Sequence, residues 1–449
     1  MARVNLEALQ QIKSSRALAI QQLLQLEKMR SRPGFDDDAS MPISSAQEHR
    51  QVKEYVSGIT RWKRWLDFLI ESFYKGEFEK MEPLIVQILR LGAYDLLFLR
   101  TPPHASINEA VELAKRAVRE GAGGLVNGIL RSIDRNRDNL PKPRARIRAN
   151  ELGVKFSHPN WLVYRWLQRY PDKVEDLLEW NNTRPVYSVR INKAKISVDA
   201  FKTQLDELEV AWEPAHHLED FVRVPRLQPL VRQGFLRDGL CAVQDESSGL
   251  IVCLLDPKPG ETIIDACAAP GGKAIYAASL MEGKGSLEAV DIQEERLKKL
   301  DQVIERYDAT WIKRTVGDLR TMERAEQVDK VLLDAPCSGL GVLSKRADLR
   351  WTRQKEDIPK VAELQAELLA AAAKMVKPGG YVVYSTCTIA PEENKVQVKK
   401  FLDTHPDFER ERADDLLPAA VVNTKGCLAT LPHKHKMDGV FGVRLRKKS

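Results

Sequence analysis

Three residues carry the chemistry in this chain. Asp334 and Cys337 sit in DAPCSG, and Cys387 sits in YSTCT. Each segment closes an apolar run of strand length, DKVLLDAPC or YVVYSTC. In an open parallel sheet the carboxyl ends of the strands form the rim that holds ligands. One buried thiol is ordinary core filling, but two thiols and a carboxylate on one rim suit covalent chemistry. Carbon 5 of cytosine is a poor nucleophile towards a methyl sulfonium. A thiolate that adds to carbon 6 turns the ring into an enamine, whose carbon 5 then attacks the methyl. An acid at ring nitrogen N3 helps the addition, and a base must afterwards take the carbon 5 proton so that the thiol can leave. One nucleophile, one carboxylic acid and one further thiol match Cys387, Asp334 and Cys337, but spacing does not choose which thiol attacks. A redox disulfide, which would need the two Cα atoms within about 7 Å, stays open. A metal site lacks nearby His ligands, since the close pair His433 and His435 in PHKHK suits the surface.

The second feature is Asp265–Lys273, DACAAPGGK, which follows a buried-strand pattern and opens a helix. Gly271 and Gly272 let backbone approach a ligand, and the next helix offers free N–H groups to an anion. Asp291 ends the second strand, where it could accept from two ribose hydroxyls. Asp318 in VGDL ends the third and could sit near an adenine. The loop is not GxGxxG, and Lys273 is followed by Ala274 rather than the Ser or Thr of a phosphate loop. A ligand with a carboxylate and a ribose but no phosphate fits, and that is S-adenosylmethionine.

These residues need a scaffold. From about Gly239 strands alternate with helices: ETIIDAC, GSLEAVD, DKVLLDAPC and YVVYSTC between helices near Ile275–Met281, Glu294–Arg306, Pro359–Met375 and Asn394–Thr404. That alternation predicts a parallel, doubly wound α/β domain over 239–449. Residues 1–140 place apolar residues at three-and-four spacing with no strand signal, an all-α bundle in which Ser106 would cap a helix after TPPHAS. PKPRARIRANELG predicts a basic linker over 141–155, and 156–238 a small α+β unit. All of the net charge of +7 lies within the first 150 residues, densest at Lys142, Arg144, Arg146 and Arg148, so the first part suits an anionic partner. The 43% hydrophobic content suits a globular chain. No apolar run reaches the ~18 residues of a membrane span, and the first residues lack a secretory h-region. Six scattered cysteines exclude a disulfide scaffold and imply a cytoplasmic protein with reduced thiols. Nothing demands an oligomer, so a monomer is expected.

DACAAPGGK, DAPCSGLG, YSTCTIAPEEN, LPHKHKMDGVFGVRL and QDESSGL at Gln244–Leu250 together resemble the NOL1/NOP2/Sun family of RNA cytosine-5 methyltransferases. RLGAYDLLFL, HASINEAVELAKR and LVNGILR resemble the NusB-type RNA-binding fold. The resemblance runs from about residue 5 to about residue 446. It implies that Cys387 is the nucleophile and that Cys337 assists product release. It assigns Cys267, Ala268, Ala269, Pro270, Gly271, Gly272, Lys273, Asp291, Asp318 and Asp334 to the cofactor side of the pocket, so Asp334 has two claims on it. The pairing of the two folds implies a bacterial enzyme whose partner is 16S rRNA. The sequence departs from the family at Arg346-Ala347, where relatives carry His-Pro before the Asp, in a loop expected near the RNA, and at Ala274. Two rival readings are an RNA-binding assembly factor with a degenerate sheet domain and a DNA methyltransferase. The intact Asp334, Cys337 and Cys387 argue against the first. The basic α domain and the lack of a large sequence-reading insertion argue against the second.

Overall fold

Helical periodicity in the first part of the chain folds as Ser15–Lys28, Ala46–Phe73, Pro83–Phe98, Pro103–Ala117 and Ala122–Arg135. The computed structural model describes residues 6–28, 45–99, 101–323 and 327–449. Among them, Pro83–Phe98 is buried on every side from Leu84 to Leu96 and packs against the other four helices. A Cβ on Gly92 would lie 2.6 Å from Leu130, so that helix approaches Ala122–Arg135 closely only because glycine is there. The buried Arg90 guanidinium is gripped by Asp67 (2.6 and 2.8 Å) and Glu27 (2.8 Å). Burial would raise the Glu27 pKa, but Arg90 and Lys63 outweigh it and hold the carboxyl at about 2.

Two expectations need correction here. Ser106 is not a cap: the helix starts at Pro103, whose fixed φ suits a first turn, and Ser106 is buried inside it. The 141–155 stretch is not all linker, because Arg148–Lys155 is a helix that buries Ala149 and Leu152 beneath its basic residues. The segment that follows Arg346 is packed. Ala347, Leu349 and Arg350 are buried, and Ala347–Arg353 belongs with the helices up to Asn182 as one compact unit. Arg350 donates to the carbonyls of Arg61, Ser157 and Asn181 and to Asn182 Oδ1, over 2.8–3.3 Å. Trp351 Nε1 donates to the Thr60 carbonyl at 2.6 Å. Helices Asn160–Arg169 and Val174–Asn182 are part of this unit too.

The second unit comprises Thr183–Arg346 and Gln354–Ser449. It begins with a small antiparallel sheet, β1 (Tyr187–Ile191), β2 (Glu213–Pro214), β3 (Phe221–Val224) and β4 (Cys241–Val243), in the order β2-β3-β1-β4. The larger sheet holds β5 (Thr262–Asp265), β6 (Ser286–Asp291), β7 (Lys313–Val316), β8 (Val328–Asp334), β9 (Val376–Thr386), β10 (Phe408–Glu411), β11 (Leu428–Ala429) and β12 (Phe441–Lys447). Its order is β10-β12-β9-β8-β5-β6-β7, with β11 beside β12. The five strands from β9 to β7 are parallel, as alternation with helices requires. β10, β11 and β12 are antiparallel, so the sheet is mixed at one edge rather than parallel throughout. β12 stays inside because Arg444 is neutralised by Glu411 at 3.0 Å and lies 3.7 Å over the Tyr381 ring. No helix of the described residues is long and apolar enough to cross a membrane.

Candidate active site

The carboxyl ends of β5, β6, β8 and β9 carry the expected residues. After β5 the chain turns through Ala266–Gly271 into the helix Gly272–Leu280. Gly271 has φ +106°, and a Cβ there would lie 2.2 Å from Leu300; only glycine meets both conditions. A Cβ on Gly272 would meet only the Gln244 side chain, at 3.8 Å, so this face of the loop is open. Asp291, at the end of β6, is buried and reaches back to the loop. One of its oxygens accepts from the Ala269 amide at 3.2 Å and the other from the Gln293 amide at 2.9 Å. Arg296 donates to the Ala269 carbonyl at 2.7 Å.

Asp318 is differently employed. It caps the short turn Leu319–Thr321, and Arg320 grips its carboxylate at 2.7–3.1 Å while also pairing with Glu367. That hydrogen bonding holds the Asp318 pKa below the usual range. Lys142, Arg144, Arg146 and Arg148 are exposed and lie in the helical unit, with Arg148 already 3.5 Å from Glu175.

Lys273 and Asp334 form an ion pair at 2.5 Å. Burial pulls the Lys273 pKa down, but Asp334 outweighs it and raises the pKa above the ordinary lysine value. The other Asp334 oxygen accepts from Ser385 Oγ at 2.8 Å. The two thiols meet directly, with Cys337 Sγ 2.9 Å from Cys387 Sγ. The Cys337 pKa is pushed well above the ordinary thiol value by its hydrogen bond with Cys387, then by burial, then by the negative charges nearby. Cys267, in the loop, is held protonated by burial and by Asp265, Asp291 and Asp334.

Two carboxylates were given no role by sequence reasoning. Asp265 ends β5, fully buried, with neither oxygen hydrogen-bonded in good geometry. Burial lifts its pKa to about 7, with Lys273 pulling the other way. The one signal for it was an acid closing the apolar run TIID. Glu393, six residues past Cys387, is also fully buried and accepts from Ser338 and Gln365. A second acid in the PEEN segment carries no spacing signal for that contact. Gln244 Nε2 is buried without a partner, while its Oε1 accepts from Arg190 at 2.8 Å.

With this geometry in place, comparison with known proteins gives three family matches in chain order. Residues 13–135 match the NusB family, 158–230 the RsmF/B-like ferredoxin-like domain, and 252–446 the 16S rRNA methyltransferase RsmB/F. The probable ribosomal RNA small subunit methyltransferase B of Bacillus subtilis is 34% identical over 97% of this chain and 99% of its own. That of Synechocystis is 37% identical over 90% and 92%. The ribosomal RNA small subunit methyltransferase B of Escherichia coli K12 is 34% identical over 90% and 92%. Among solved structures, PH0851 aligns over 99% of this chain and 98% of its own at 28% identity and TM-score 0.77. A methyltransferase homolog from Pyrococcus horikoshii aligns over 67% and 98% at 27% identity and TM-score 0.58. A NusB-family helical domain, a ferredoxin-like unit and a methyltransferase sheet thus follow one another along nearly the full length of these relatives, and the chain belongs to the RsmB/F family of 16S rRNA methyltransferases.

Proposed function

We propose that the chain methylates carbon 5 of one cytidine in 16S rRNA, with S-adenosylmethionine as methyl donor and Cys387 as the covalent nucleophile. The observation that carries this reading is the pair of thiols 2.9 Å apart beside the Lys273–Asp334 ion pair. The pocket residues fit the donor. The unsatisfied Asp265 carboxylate suits its ammonium group. Asp291 suits the ribose hydroxyls, and the open face from Cys267 to Lys273 suits close approach. Asp318, engaged by Arg320, serves as a wall of the adenine side. When bound, S-adenosylmethionine supplies an electrophilic methyl.

The chain's own residues do the rest. The target base must leave its stack to reach the thiols. Cys387 Sγ gives up its proton to water and adds to carbon 6. The Lys273 proton passes through the Asp334 carboxyl to N3, which leaves Lys273 neutral and lets Asp334 act as the acid there. Cys337, once its own proton has passed to water, takes the carbon 5 proton, and the Cys387–carbon 6 bond breaks with its electron pair returning to the Cys387 sulfur. Lys142, Arg144, Arg146 and Arg148 hold RNA phosphates. Free thiols of this kind require a reducing compartment, the cytoplasm.

The two cysteine roles predict opposite phenotypes. Cys337→Ala should methylate once and then remain bonded, giving a protein–RNA band that survives denaturing electrophoresis, carries the transferred methyl and needs S-adenosylmethionine. Cys387→Ala and the double variant should give no such band. A trapped band with Cys387→Ala would reverse the roles, and full activity of both single variants would reduce the thiols to packing.

A further inference from the structure

We infer that Glu393 is a positioning residue for the cysteine pair: its buried carboxylate, with the neighbouring Asn394, clamps the main chain on both sides of Cys337 and of Cys387 and so sets the distance between their thiols. The inference rests on the covalent mechanism above for its kinetic consequence, though not for its geometry.

The two cysteines arrive from different strands, β8 and β9, fifty residues apart in the chain. Strand pairing ends at Asp334 and Thr386, and two main-chain bonds continue past it, from the Ala335 amide to the Ser385 carbonyl at 2.9 Å and from the Gly341 amide to the Cys387 carbonyl at 3.1 Å; neither holds the residues next to Cys337. Each cysteine is followed by a hydroxyl residue, Ser338 or Thr388, and the two hydroxyls meet at 2.8 Å. Glu393 accepts from the Ser338 amide at 2.8 Å with one oxygen and from the Ser338 hydroxyl with the other. Gln365 Nε2 donates to Glu393 at 3.1 Å and to the Pro336 carbonyl at 2.9 Å. The residues before and after Cys337 are therefore both tied to one carboxylate. Asn394 repeats the arrangement around Cys387, accepting from Thr386 Oγ1 at 2.6 Å and donating to the Thr388 carbonyl at 2.8 Å. The Glu393 carbonyl is itself fixed by the Tyr384 hydroxyl at 2.7 Å.

Ser338, Thr388, Glu393 and Gln365 are 0–1% exposed, so none of them touches a base. Their effect passes through the position of the thiols. The Ser338 amide and hydroxyl and the Gln365 amide converge on the Glu393 carboxylate, which makes it the hub of the cluster. Replacement by Gln keeps the shape: its oxygen can still accept from the Ser338 amide and Gln365, and its NH2 can donate to Ser338 Oγ, whose hydroxyl turns towards Thr388. Replacement by Ala removes every bond of the hub.

The test reads thiol geometry without RNA or methyl donor. Phenylarsine oxide bridges two close thiols, forming two As–S bonds and releasing water. Wild-type protein should capture it through Cys337 and Cys387, with Cys337→Ala giving the background from the other cysteines. Glu393→Ala should bring capture down to that background and lower kcat for RNA methylation about 100-fold, the cost of a displacement of roughly 1 Å at a reacting atom. Its KM for S-adenosylmethionine should stay at the wild-type value. Glu393→Gln should restore most of both. Wild-type capture and kcat in Glu393→Ala would overturn the inference. So would a cofactor KM that rises as kcat falls, which would mark a general structural role, or a Gln variant no better than Ala. Wild-type protein that captures the arsenical in a Glu393-dependent way yet never methylates RNA would support the clamp and remove the proposed reaction.

Discussion

Asp265→Asn should make the protein more resistant to unfolding at alkaline pH and worse at binding its methyl donor. The carboxyl is fully buried, lacks good hydrogen bonds and has its pKa raised by burial from 3.8 to about 7. The folded state therefore keeps a proton that the unfolded chain has already lost between those two values. In that window stability falls as pH rises, by about 1.4 kcal/mol per unit, and levels off above the folded pKa. Over the full interval the group withdraws about 4 kcal/mol, and between pH 5 and 7.5 about 3 kcal/mol of it. Asparagine has the same shape and does not titrate. Its own unsatisfied amide adds a constant cost of roughly 1–3 kcal/mol, so the two proteins differ in slope and not only in offset. Urea unfolding at pH 5, 6, 7 and 8 should show the wild type losing about 3 kcal/mol relative to the variant across that series. Loss of a charged acceptor should weaken S-adenosylmethionine binding at pH 8 by about 10–150-fold. Parallel stability curves would mean that Asp265 carries no raised pKa, and unchanged donor affinity would mean that it does not face the ligand.

Asp291→Ala should weaken S-adenosylmethionine binding by about 10–150-fold, measured by calorimetry, while RNA affinity holds. Part of that loss would come from the loop, because Asp291 also holds the Ala269 amide. Changing Lys142, Arg144, Arg146 and Arg148 together to Ala should flatten the slope of log RNA affinity against log salt by about 0.7 for each phosphate no longer neutralised. Arg148 should contribute least, since Glu175 already faces it; an unchanged slope would show that these side chains face only solvent.

The α/β domain was legible because its signals are local. Buried parallel strands are near-continuous apolar runs, and the acids and thiols that end them stand out in one dimension. Glu294–Arg306 has the expected bounds for that reason. The edge strand β10 and its neighbour β12 were hidden because Arg444 and Glu411 break the apolar pattern, and their neutralisation depends on pairing across the sheet. Glu393 and Asp265 were missed on the same ground: a buried acid is recognisable only from what surrounds it, and their surroundings come from distant segments. Arg148–Lys155 was obscured by its own charges, since Ala149 and Leu152 are two small clues in a basic run. Nothing local in the sequence marks Arg350 as buried, since the oxygens that receive its guanidinium come from distant segments.

The return of Ala347–Arg353 to the helical unit has a consequence for how the protein is made. A ribosome delivers the chain from its amino end, so the carbonyls of Arg61, Ser157 and Asn181 emerge well before the guanidinium that will bind them. About 170 residues separate Asn182 from Arg350, which at about 5–20 residues per second is a wait of roughly 10–30 s. During that interval the strands that will carry Asp265 and Asp334 are already being extruded. The first unit to start is thus completed only by a segment encoded beyond β8, and a gene fragment ending at residue 182 specifies a helical unit without its buried Arg350 and Trp351. The two units can be told apart in space, but no single cut along the chain divides them.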